Sequence, residues 1–297
     1  MSSLNQMLKL NCRVLKSIIC VRMDYLVAVP EPRLVPFAPN SAIIARYARG
    51  RDYHKVMRGR LKTLSQKIKA KVGDFESRPF ADSAPIFEKS LAENAGMGWV
   101  SKHTLLIHKT SGSFFVLGEL FTSLELPFDQ ATTKHCGSCS ACIDICPTQA
   151  IVEPYLLDAR KCIAYLTIEF QGIIPLELRR GIGNRVFGCD DCQLICPWNS
   201  FAKTTPIDDF NPRHGLDDIQ LIDLWQWDEN TFMANTEGSP LRRTGYQSFM
   251  RNVAIGLGNA PFSDEILQQL QASRPELNDI VQVHIDWAIQ EQLIKKH

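Results

Sequence analysis

The sequence predicts a mixed fold, α/β or α+β in class, divided into more than one domain. Three observations predict it. Strand and helix signals alternate up to about residue 130, a cysteine-rich stretch follows, and helical patterning dominates after Pro206. The 297 residues are long for one domain, and 45% hydrophobic with 22% charged residues is the composition of a folded chain that needs no disulfides. The expected units are residues 1–130, 131–205 and 206–297.

In the first unit, the apolar run Ile18 to Val21 reads as a buried strand, and Pro30, Pro32 and Pro36 break the pattern into an extended loop. From about Tyr53, the apolar residues Met57, Leu61, Leu64 and Ile68 recur at helical spacing, with basic residues on the other faces. Phe80 to Pro85 ends a strand or makes a turn, and a helix through Glu88, Leu91 and Ala92 runs to a Gly96 cap. Leu105 to His108 and Phe114 to Leu120 read as strands around the turn at Ser111-Gly112-Ser113. From Leu221 onward, Phe249, Val253 and the apolar positions of 255–257, 266–270 and 280–289 fit short packed helices.

The formal net charge of +1 selects no partner, but residues 46–71 carry ten Lys or Arg against one acid, Asp52. No apolar run approaches the roughly 18–20 residues that span a bilayer. The first residues do not read as a signal peptide. Both point to the reducing cytoplasm, where closely spaced cysteines bind metal more often than they form disulfides.

Eight of the ten cysteines form a pattern. Cys136-x2-Cys139-x2-Cys142-x3-Cys146-Pro147 is the bacterial ferredoxin run, in which three thiolates wrap one cubane cluster and the fourth reaches a second. Cys189-x2-Cys192-x3-Cys196-Pro197 is a copy lacking one ligand, since position 186 is valine, and Cys162 is the spare that completes it. The crossed pattern assigns Cys136, Cys139, Cys142 and Cys196 to one [4Fe–4S] cluster, and Cys146, Cys162, Cys189 and Cys192 to the other. Structural zinc is the competing reading, but zinc sites use paired Cys-x2-Cys knuckles rather than a triple run ending in Cys-Pro. Cys12 and Cys20 read as small buried residues. Two adjacent clusters conduct single electrons without choosing a substrate, so the acceptor belongs in the unit ahead of them.

The chain resembles the epoxyqueuosine reductases over roughly residues 42–258. The resemblance rests on Arg46-Tyr47-Ala48-Arg49-Gly50-Arg51-Asp52-Tyr53-His54-Lys55, Asp82-Ser83-Ala84-Pro85, Ala95-Gly96-Met97-Gly98-Trp99 and Lys102-His103-Thr104. The eight cysteines, the run Cys162 to Glu169 and Ser239-Pro240-Leu241-Arg242-Arg243 continue it in order. It implies a cobalamin-binding α/β domain, a ferredoxin-like two-cluster domain and a C-terminal helical domain of HEAT-like character. It also implies reduction of epoxyqueuosine to queuosine at the tRNA wobble position, and kinship with the reductive dehalogenases. No Asp-x-His-x-x-Gly corrinoid motif is present, and the family binds cobalamin without it. The family usually carries more residues ahead of this start, and residues 1–12 look unrelated to its usual beginning.

Carried across by motif, Asp82 is the catalytic acid, a carboxyl able to give up a proton if its pKa is raised. Without the resemblance, an Asp ahead of a helix reads as a cap. Lys102, His103 and Trp99 are the expected cobalamin contacts. Arg46, Arg49, Arg51, Lys55, Arg242 and Arg243 are the expected tRNA contacts, phosphates being held by Lys and Arg. The expected protein is a monomer that draws electrons from a low-potential donor such as a ferredoxin or flavodoxin. A plain two-cluster carrier would need neither the basic stretch nor Asp82. A corrinoid dehalogenase would carry a twin-arginine signal. A nucleic-acid module with structural clusters would bind tRNA regardless of reductant.

Overall fold

The computed structural model describes residues 15–28, 38–82, 85–272 and 274–296. Cys12, the three prolines between residues 30 and 36, Ser83 and Ala84 lie outside the described residues. In chain order come β1 (Ser17–Asp24), β2 (Ile43–Ile44), α1 (Tyr53–Val72), β3 (Ser77–Phe80), α2 (Glu88–Asn94), β4 (Trp99–Val100), β5 (Leu106–Ile107) and β6 (Phe115–Thr122). The cysteine-rich stretch adds α3 (Ala141–Asp144), β7 (Ile151–Glu153), β8 (Leu156–Leu157), α4 (Ile163–Ile168), α5 (Leu176–Ile182), β9 (Arg185–Phe187) and α6 (Asp191–Leu194). Helices α7 (Leu221–Trp225), α8 (Glu229–Asn235), α9 (Tyr246–Asn259), α10 (Asp264–Gln271) and α11 (Asp279–Lys295) follow.

The first unit centres on β6, which is buried along almost its whole length and pairs antiparallel with β1 on one side and β3 on the other. Its apolar run suits a central strand covered on both faces. Helix α1 packs Met57 and Leu61 onto it. The approach is close at Gly118, where a Cβ would come within 2.7 Å of the Met57 sulfur. The expected hairpin around Gly112 is not formed as read. β5 pairs with β4 instead, and only the His108–Gly112 bridge remains of the predicted partnership. β6 already has neighbours on both edges, so β5 must find another.

The largest core joins all three expected units. Ala42, Ile44 and Ala48 pack with Ile163, Leu166, Val186 and Phe187 and with the C-terminal helices. Parallel pairing of β2 with β9 stitches the first two together. The fully buried Arg251 of α9 donates to the carbonyls of Phe170 (2.7 Å), Gly172 (2.9 Å) and Leu166 (2.7 Å). The neighbouring Asn252 donates to those of Thr167 (2.8 Å) and Val186 (2.9 Å). These bonds fix the segments that carry Cys162 and Cys189. Arg251→Met keeps the aliphatic stem but leaves three carbonyls without their donor, one of them fully buried and two partly buried. It should cost about 3 kcal/mol, read as a lower denaturation midpoint.

Candidate functional site

Among the described residues, no three ligating side chains converge on a single-ion position. The eight patterned thiols instead line two cavities. Cys136, Cys139, Cys142 and Cys196 share one of about 350 Å³. Cys146, Cys162, Cys189 and Cys192 sit at one side of a second, about 300 Å³ and half open. Short helices α3 and α6 set each run, and backbone amides turn toward sulfur, as where the Ala150 N–H donates to the Cys146 sulfur at 3.2 Å. Burial pushes the Cys142 thiol up to about 11, and the charges of Cys196 and Cys136 oppose its ionisation further. Thiolate ligation there depends on the positive charge of iron. Four thiols lining one cavity are the donor set that such a cluster takes.

The second cavity extends from its thiols along an apolar wall of Phe115, Val116, Leu117 and Leu157 to Tyr47 and Tyr53. Those two tyrosines also line a third cavity of about 310 Å³, which holds Asp82, His54, Asp52 and Arg243. Asp82 stands in the left-handed region (φ 52°), which Asp tolerates better than most residues. The Tyr53 hydroxyl donates to its Oδ2 at 2.5 Å, and His54 Nε2 lies 2.9 Å from the same oxygen. His54 Nδ1 lies 2.7 Å from Asp52 Oδ1, so a continuous Asp52–His54–Asp82 chain reaches the cavity.

The electrostatics differ from expectation at Asp82. Its carboxyl is held below the usual range, first by the hydrogen bond from His54, then by Tyr53, against the opposing effect of burial. Proton affinity resides in its neighbours instead. Burial pulls His54 down, but bonds to Asp52 and Asp82 outweigh it and hold the imidazole up at about 9. Burial and the Asp82 charge push Glu88 up to about 7, and its Oε2 accepts the Asp82 N–H at 3.2 Å. Sequence reading gave neither residue a role in the site. Asp52 caps α1 through the His54 N–H, and that ordinary role masked the ring contact.

Several expected contacts lie elsewhere. Arg46 and Arg49 are buried. Arg46 pairs with Asp190 (3.6 Å), and Arg49 Nε donates to the Ile44 carbonyl (2.9 Å). Arg51 is exposed beside Asp209 (3.0 Å), and Lys55, Arg242 and Arg243 line the Asp82 cavity, with Arg243 paired to Glu169 at 2.9 Å. Lys102 holds the first cysteine loop through the carbonyls of Gly137 (2.7 Å) and Cys139 (2.8 Å), rather than facing the second cavity. Trp99 is buried edge-on against His135 and Trp198, both in the wall of the first thiol cavity. His103 lines both thiol cavities.

Residues 135–199 match the 4Fe-4S double cluster binding domain. Residues 8–83 match the family described as epoxyqueuosine reductase QueG, DUF1730, so the likeness begins well before the residue-42 start read from motifs. An epoxyqueuosine reductase of Pseudomonas aeruginosa is 54% identical over 273 residues, spanning 92% of this chain and 76% of its own. That of Escherichia coli is 49% identical over 280 residues, spanning 94% and 74%. A crystal structure of epoxyqueuosine reductase with a tRNA-Tyr epoxyqueuosine-modified stem loop matches with TM-score 0.86 at 28% identity, over 96% of this chain and 75% of that one. The Streptococcus thermophilus epoxyqueuosine reductase matches with TM-score 0.85 at 28% identity, over 97% and 76%. On this identity and coverage, the chain belongs to the epoxyqueuosine reductase family.

Proposed function

We propose that this chain is an oxidoreductase that converts epoxyqueuosine in tRNA to queuosine, with two [4Fe–4S] clusters in the thiol cavities and cobalamin in the cavity between them and Asp82. The observation that carries the reading is contiguity: one thiol set opens into the apolar-walled cavity, and Tyr47 and Tyr53 join that cavity to the Asp82 pocket. A broad apolar slot with polar groups at its rim suits a flat macrocycle, and Lys89 and Thr104 would hold its edge. Bound there, cobalamin supplies a strongly reducing cobalt centre. The proposed layout is a cobalamin unit, a ferredoxin-like unit and a HEAT-like helical unit.

Removing the epoxide oxygen as water takes two electrons and two protons. Cys146, Cys162, Cys189 and Cys192 line the cavity, and a cluster held by them would supply electrons one at a time. His54 is held charged and its Nε2 lies 2.9 Å from Asp82 Oδ2, so it can pass a proton to that carboxylate, which hands it to the departing oxygen. Lys55, Arg242 and Arg243 on the pocket rim would meet tRNA phosphates, and the nucleoside must leave its loop to enter. Cys139 is exposed, which supports electron entry there from a low-potential donor such as a ferredoxin or flavodoxin. Among the described residues, no helix is long and apolar enough to cross a membrane.

The test is anaerobic turnover. Reconstituted protein with cobalamin, a low-potential reductant and epoxyqueuosine-containing tRNA should yield nucleosides lighter by one oxygen in mass spectrometry. No conversion with both clusters and cobalamin bound would reject the reading in favour of an electron carrier.

A further inference from the structure

His103 is 3% exposed, and its Nε2 has no hydrogen-bond partner. A buried polar group without a partner costs free energy, so a protein keeps one where something else satisfies it. Its tautomer follows from local geometry. The Leu105 N–H, which can only donate, points to Nδ1 at 3.3 Å, while the Ser101 hydroxyl, 2.9 Å from Nδ1, gives its proton to the Leu105 carbonyl at 3.0 Å. Nδ1 is thereby the acceptor, and the ring proton sits on Nε2. The hairpin that carries this ring also sends Lys102 to the carbonyls of Gly137 and Cys139, which ties it to the first cysteine loop.

Two other polar side chains of the first thiol cavity are engaged. Lys102 is held by those carbonyls, and His135 Nε2 lies 3.1 Å from the Thr133 hydroxyl. Of the unpartnered buried side-chain atoms among the described residues, the one belonging to a residue of this cavity's wall is His103 Nε2. A cubane gains negative charge on reduction and has sulfur acceptors. A neutral N–H aimed at it stabilises the reduced form more than the oxidised one.

We propose that the His103 Nε2–H donates a hydrogen bond to the cluster held by Cys136, Cys139, Cys142 and Cys196, and so raises that cluster's reduction potential. His103 is a tuning residue that sets how readily the first cluster takes an electron, rather than a corrinoid contact. The inference rests on the cluster assignment above.

The experiment is a potentiometric titration, followed by EPR, of protein carrying both clusters without cobalamin. His103→Phe keeps a planar ring but removes the donor. One cluster should become about tenfold harder to reduce, a fall of about 59 mV for a one-electron couple, while the other stays in place. His103→Gln, which keeps an N–H donor, should restore most of the shift. Independently, protein labelled with 15N-histidine should show a ring-nitrogen coupling on one reduced cluster that survives in His135→Phe. This measurement needs no change at His103, so it holds even where His103→Phe fails to load iron. Unchanged potentials in His103→Phe, equal shifts in His103→Phe and His103→Gln, or no histidine coupling would each overturn the proposal. Wild-type protein with four irons rather than eight would overturn the cluster reading beneath it.

Discussion

Turnover in Asp82→Asn should fall by about 10²–10⁴-fold, with iron content and cobalamin binding unchanged. Asparagine is the informative replacement because it tolerates the left-handed backbone at this position (φ 52°) as aspartate does. Its amide oxygen can still accept from Tyr53, but the side chain no longer carries a proton or a charge. The pH profile provides a second reading. In the wild type, His54 is charged below about pH 9, so the rate should decline as pH rises through about 9. Asp82→Asn removes one of the two carboxylates that hold the imidazole up, so this limb should move toward the ordinary histidine value of 6.5. The same linkage governs stability. The charged His54 pairing is fully present below about pH 6.5 and is lost as pH climbs through about 9. An alkaline limb that stays in place would show that His54 does not feed Asp82.

Cys192→Ala should abolish turnover and halve the iron. Cys192 faces Cys189 and Cys162 across the second thiol set, and burial drives its thiol well above the ordinary range. Alanine is the smallest change that removes the ligand. Four irons should remain, held by Cys136, Cys139, Cys142 and Cys196, with one cluster signal in EPR. Electrons would then stop short of the second cavity, since the lost set is the one that lines it. Full iron content in Cys192→Ala would refute the crossed assignment.

The cysteine sets were legible because their information is local. Spacings of two and three residues dictate the turns, and the proline after each final cysteine closes them. Helix α1 was legible for the same reason, from the periodicity of Met57, Leu61, Leu64 and Ile68. The basic stretch was not, because counting charges does not reveal burial. Arg46 turns inward to meet Asp190, a partner 144 residues away, which no local pattern announces. His54 was hidden differently. Asp52 caps the helix through the His54 backbone, so a commonplace start signal concealed the ring that links two carboxylates. Glu119 shows the same limit. It sits in the mostly apolar strand β6, fully buried with neither carboxylate oxygen partnered, and burial with the Glu88 charge pushes it up to about 8.

The bonds from α9 and α11 into the cysteine-rich stretch set an order of events during synthesis. Arg251 and Asn252 fasten the segments bearing Cys162 and Cys189, and His284 accepts the Ile174 N–H at 3.1 Å. The last cysteine therefore leaves the ribosome well before its scaffold does. Roughly ninety residues must still be added, which at about 5–20 residues per second takes roughly 5–20 s. For that interval the thiols are unshielded, open to oxidation and to stray metal. Iron arriving before α9 has docked would therefore meet cysteine-bearing segments that these bonds do not yet hold.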